Sequence, residues 1–171
     1  MNKLIIAPIL VIAIVFTVQA QAQSTQDIEV AADVQAAITF SDITNVNFGT
    51  ISQNSGAYLN ANASDDPDEN VGENAQTGAF TVAGDANAAI SFGTATLADG
   101  DGTNTLTFTP SIFENSGNTE VLPAGTDFDL STGPLVFTVG GALDAATVAG
   151  DYSTTNTNGS NLTITVQYTG I

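Results

Sequence analysis

From Ile28 to Phe40 every even-numbered position is apolar: Ile28, Val30, Ala32, Val34, Ala36, Ile38 and Phe40. The positions between them are Glu29, Ala31, Asp33, Gln35, Ala37 and Thr39, so one face is apolar and the other mostly polar. A period of two belongs to an extended strand with one face on a core. The alternation returns at Phe80 and Val82, at Ile90 and Phe92, at Leu106 and Phe108, at Leu135, Phe137 and Val139, and at Leu162, Ile164, Val166 and Tyr168. Turn clusters such as Asn54-Ser55-Gly56, Asn115-Ser116-Gly117-Asn118 and Asn156 to Asn161 separate these runs. Gly and Asn tolerate the positive φ that tight turns need. The 24 Thr favour strands, and no window beyond the leader carries a 3.6-residue period. Short strands with turns every 8 to 12 residues or so predict an all-β antiparallel β-sandwich in one domain.

The first 22 residues read differently. Lys3 precedes the apolar run Leu4 to Val18, broken only by Pro8 and Thr17, and Gln19-Ala20-Gln21-Ala22 ends in the A-x-A pattern of a processing site. Residues 1–22 are therefore expected to be a cleaved signal peptide, and the mature protein to be secreted. The run falls short of the roughly 20 residues that a spanning helix needs, so no membrane insertion is expected after cleavage.

The opening alternation is too long for one ordinary strand, which has about 5 or 6 residues. We divide it at Val34, taking residues 23–33 as an N-terminal extension, Val34 to Phe40 as the first strand, and 34–171 as the domain. The extension, with Ile28, Val30, Ala32 and Val34 as interface positions, suits donor-strand addition, in which a terminal segment of one copy completes an open sheet edge of the next. The other reading is one bent strand crossing between sheets within a monomer.

Composition narrows the chemistry. The formal net charge is -17, with 18 acidic side chains, Lys3 as the lone cation, and no His, Cys or Trp. Ser-His-Asp and Cys-His triads and the usual zinc ligand sets are excluded, and no enzymatic activity is expected. Such a charge repels phosphates, so neither nucleic acid nor an anionic membrane is an expected partner. Once the leader is gone no cationic side chain remains, so side-chain salt bridges cannot form. Paired carboxylates could hydrolyse glycosides, but without Trp and with only Tyr58, Tyr152 and Tyr168 a sugar finds few stacking surfaces. The alternative to a structural role is a secreted monomeric adhesin or a carbohydrate- or matrix-binding module.

Two acidic clusters, Ser64 to Glu69 and Asp99-Gly100-Asp101-Gly102-Thr103-Asn104, gather oxygen ligands of the kind calcium prefers. Asp99, Asp101 and Asn104 are the candidate ligands. The second cluster lacks the full EF-hand pattern, and its Asp-Gly pairs equally suit a β-hairpin turn. Gly150-Asp151-Tyr152, placed before the expected penultimate strand, reads as a tyrosine corner whose hydroxyl ties back to nearby backbone.

Five blocks, in order, carry a family resemblance: Phe48-Gly49-Thr50-Ile51, Phe80-Thr81-Val82-Ala83-Gly84, Phe137-Thr138-Val139-Gly140-Gly141-Ala142-Leu143, Gly150-Asp151-Tyr152 and Thr163-Ile164-Thr165-Val166-Gln167-Tyr168. From about Val34 to Tyr168 the chain resembles secreted bacterial proteins of the domain-of-unknown-function family 4402. The resemblance implies an immunoglobulin-like sandwich exported to the cell exterior, and it brings no catalytic residues. The closing strand, with Leu162, Ile164, Val166 and Tyr168, is also similar to that of chaperone-usher pilins. Taken with the extension, that similarity implies self-association into a fimbria-like homopolymer and a periplasmic chaperone as a second partner; the other reading of this strand is a central strand of the sandwich with no further role. Tyr168 stands fourth from the end, and the cysteine pair common in pilins is missing.

Overall fold

The computed structural model describes residues 32, 34–62 and 67–170, so the leader, Ile28, Val30 and part of the first acidic cluster lie outside the described residues. Residues 34–171 form one compact unit. Among the described residues its regular structure is all strand: β1 (Thr39–Thr44), β2 (Ala57–Leu59), β3 (Gly78–Ala83), β4 (Asn87–Phe92), β5 (Ala95–Ala98), β6 (Thr105–Glu114), β7 (Thr119–Val121), β8 (Thr126–Asp129), β9 (Leu135–Leu143) and β10 (Ile164–Tyr168). Every pairing is antiparallel. One sheet runs β1-β3-β9-β6-β5, with β2 beside β9 and β7 beside β6, and the other runs β10-β4-β8. The expected all-β sandwich architecture is present.

The period-two pattern sets which face is buried. In β6, Leu106, Phe108, Pro110, Ile112 and Glu114 are buried, while Thr105, Thr107 and Thr109 are exposed. β9 pairs with β3 along its first half and with β2 along its second. The exchange of partners falls at Gly140-Gly141, where β6 opposes Gly141 with Pro110, a residue that has no ladder donor. Gly141 has φ +134°, and a Cβ there would stand 2.3 Å from the Thr109 carbonyl oxygen, so only glycine fits.

Four rings run from an edge of the first sheet into the second. Phe40 packs on Phe80 at 5.9 Å, Phe80 stacks on Phe137 at 5.0 Å, and Phe137 meets Phe128 edge-on at 5.1 Å. Burying aromatic rings in these geometries contributes beyond area alone. Phe137 and Ile90, from opposite sheets, are fully buried.

The β5–β6 hairpin closes with Leu97 opposite Leu106, as the Asp-Gly pairs between them predict. The Tyr152 hydroxyl donates to the Val148 carbonyl at 3.0 Å, making the expected tie four residues back. It stands between β9 and β10, before the last strand instead of the penultimate one.

Three further readings change. The first strand is Thr39–Thr44, not Val34 to Phe40, and all six of its residues are exposed. β10 begins at Ile164, leaving Leu162 in the approach to it. β10 is an edge strand, paired with β4 alone, where a central position was an open alternative.

Candidate functional site

Two edge strands from different sheets contribute residues to one cleft. β1 ends one sheet and β10 ends the other, and each has a single neighbour. A cleft of about 830 Å³ opens here, with Phe40, Ile43, Phe80, Phe108, Leu162 and Ile164 among its apolar lining. Ser153, Thr154, Thr155 and Asn161 add polar groups along one side.

Local sequence accounts for both walls. Phe40 and Ile43 are three residues apart, so in a regular strand they would point to opposite faces. A register shift between Ser41 and Thr44, with Asp42 at φ 51°, re-aims the strand, and both side chains line the cleft. Phe40 remains 42% exposed and Ile43 68% exposed. On the opposite wall Ile164, Val166 and Tyr168 alternate with exposed Thr165 and Gln167, yet are only half-buried. Across the ladder in β4, Ala88 and Ile90, opposite Tyr168 and Val166, are fully buried, while Phe92, opposite Ile164, is half-buried. The inward face of β10 is thus incompletely covered.

One end of β10 holds the incoming chain. The Ala36 amide donates to Asp85 Oδ2 at 2.6 Å, and the Ala36 carbonyl accepts from the Tyr168 hydroxyl at 2.8 Å. The Asp85 amide donates to that hydroxyl at 3.0 Å. Val34 is 87% exposed and Ala32 is exposed too. Of the proposed interface positions, Ile28 and Val30 lie outside the described residues, and Ala32 and Val34 face solvent. Leu162 and Ile164, which the sequence marks only as members of the closing strand, line the cleft, and Ile43 went unmarked because a bulge leaves no trace in a period-two pattern.

The second acidic cluster forms the β5–β6 turn. Asp99 Oδ2 accepts from Asn104 Nδ2 at 2.6 Å, and the Thr103 amide donates to Asp101 Oδ1 at 3.0 Å. Asp99 is 8% exposed, and its Oδ1 is buried with no hydrogen-bond partner. The Asn104 side-chain amide, opposed by burial and aided by backbone amides, holds its carboxyl below the ordinary value. Among the described residues no group of three or more His, Cys, Asp or Glu is arranged to hold a metal.

Glu114, 4% exposed, makes a useful contrast. Its Oε1 accepts from the Ser116 amide at 2.8 Å and the Ser116 hydroxyl at 2.6 Å, and its Oε2 from the Gly117 amide at 2.6 Å. Burial raises its pKa, but these donors outweigh burial and the net shift is downward. It caps its own turn, and each of its oxygens has a donor.

Among the described residues no helix is long and apolar enough to cross a membrane. No protein-family model, curated protein or solved structure matches the chain.

Proposed function

We propose that the protein is an exported, non-enzymatic structural subunit that polymerises outside the cell by donor-strand addition. In this reading residues 23–33 of one copy lie in the cleft of the next, with Ile28, Val30 and Ala32 on the apolar face. The observation that carries it is the apolar cleft lined by residues of two edge strands, β1 and β10. A strand laid there would take main-chain hydrogen bonds from an edge and cover the half-buried face of β10. A contact of this kind needs no cation, which suits residues 23–171, and it repeats head to tail into a fibre. The immunoglobulin-like assignment, secretion and handling by a periplasmic chaperone belong to the same proposal.

Negative-stain microscopy of the secreted full chain and of a variant lacking residues 23–33 tests it. The proposal expects fibres from the first, and folded monomers by circular dichroism from the second. Fibres that survive the deletion overturn it.

The polar side of the cleft, Ser153 to Thr155 with Asn161, favours a second reading: a monomeric adhesin or carbohydrate-binding module that takes a hydroxylated ligand there. Glycan binding by the unpolymerised variant, lost when Asn161→Ala is introduced, would support that reading instead.

A further inference from the structure

Asp99 and Glu114 are the two buried carboxylates among the described residues, and only Asp99 has an oxygen without a partner. A buried, unpaired anion is costly unless a counter-charge reaches it. Beyond Lys3 the chain has no Lys, Arg or His, so no side chain of the domain can supply that charge. The Asp101 side chain acts on the same group as a hydrogen-bond partner, a contact that two carboxyl groups keep only by sharing a proton or a cation. Gly100 and Asp101 are exposed, so the turn lies at the surface within reach of an ion.

We propose that the Asp99–Asn104 turn binds a calcium ion through Asp99 Oδ1 and the Asp101 carboxylate, with the remaining positions filled by loop oxygens and water. Calcium accepts six to eight oxygens in irregular geometry and is at home with two carboxylates plus carbonyls, whereas magnesium demands a regular octahedron. With two carboxylates as its charged ligands, the site is a weak one of the extracellular kind, with Kd on the order of 0.1 to 1 mM. The site also has a structural consequence. The Asn158 side-chain amide donates to the Gly102 carbonyl at 3.0 Å and that of Asn156 to the Ala98 carbonyl at 2.8 Å. The loop carrying Tyr152 to Thr155 is thereby joined to this turn, and a bound ion steadies that side of the cleft. Ion binding at this turn does not depend on polymerisation.

A natural reporter stands beside the site. A Cβ on Gly150 would lie 3.7 Å from both Asp99 Cβ and Tyr152 Cε2, so the ring and the carboxylate flank one residue. Terbium, a calcium surrogate, should emit when Tyr152 is excited. The experiment titrates the chelator-treated full chain with terbium, competes it with calcium, and repeats both with Asp99→Asn, Asp101→Asn and, as a charge-matched control, Asp127→Asn. The expected result is calcium-reversible tyrosine-sensitised emission and a calcium-dependent rise in melting temperature. Both should be weakened about tenfold or more in Asp99→Asn and Asp101→Asn and kept in Asp127→Asn. Should Asp99→Asn fail to fold, the exposed Asp101→Asn variant decides. No sensitised emission, or emission equally strong in Asp101→Asn and in Asp127→Asn, overturns the site and leaves a diffuse cation atmosphere.

Discussion

The Tyr168 hydroxyl donates to the Ala36 carbonyl at 2.8 Å while accepting the Asp85 amide at 3.0 Å, so the last strand anchors the chain just before the first. Gly84 leaves room for this, because a Cβ there would stand 2.7 Å from that hydroxyl. Tyr168→Phe should cost about 1 kcal/mol, the net worth of an ordinary hydrogen bond. Asp85→Ala frees the Ala36 amide on the other side. Because both hold one residue, the double variant should depart from additivity by about 0.5 kcal/mol or more in urea denaturation.

Phe137 has no exposed surface and touches Phe80 and Phe128. Phe137→Ala should destabilise the monomer by about 3 to 5 kcal/mol, the usual cost of deleting a core ring. Phe40, at the cleft and 42% exposed, should cost far less when cut to Ala. If assembly occurs in the cleft, the Phe40 variant should show its larger defect in fibre yield. Paired denaturation and pelleting measurements separate the two effects.

Glu114 predicts a pH dependence with a definite sign. Its folded pKa lies below its unfolded value. The stability it adds is complete above the unfolded value of about 4.3 and is lost as pH falls through the lower folded value. Glu114→Gln should therefore melt below the wild type at neutral pH, with the gap narrowing under acid. Melting curves of both proteins across that range provide the check, and a gap that widens on acidification would contradict the assignment.

Residues 23–171 hold all 18 carboxylates and no cationic side chain, so every pairwise charge interaction between side chains is repulsive. Raising sodium chloride shortens the screening length from about 30 Å at 0.01 M to about 10 Å at 0.1 M. The melting temperature should climb over that interval, and a flat or falling curve would show that the repulsion is not felt in the fold.

The pattern of the sequence made strands visible where one face is buried along its length. Leu135, Phe137 and Val139 in β9 alternate because their partners β3 and β6 fix both sides. The Leu97–Leu106 hairpin was legible from its Asp-Gly pairs, and the tyrosine corner from Tyr152 and its Gly-Asp lead. β2, β7 and β8 were missed because strands of three or four residues present too few alternations to stand out. β1 was misplaced for a physical reason. The alternation through Val34 and Ala36 does not stop where hydrogen bonds to Asp85 and Tyr168 hold Ala36 outside the sheet. Nor does alternation tell a strand packed on its own core from one suited to another copy's. The cleft escaped detection because its walls come from residues about 120 apart in sequence, such as Phe40 and Ile164, brought together only by the topology.

Disulfide trapping tests the donor-strand account most directly, since the chain has no cysteine of its own. Copies carrying Val30→Cys are mixed with copies carrying Ile164→Cys under mild oxidation and resolved without reductant. The account predicts a covalent pair that requires both cysteines and disappears on reduction. Absence of that pair, with a single copy carrying both cysteines closing readily on itself, would place the extension in its own cleft and contradict the polymer.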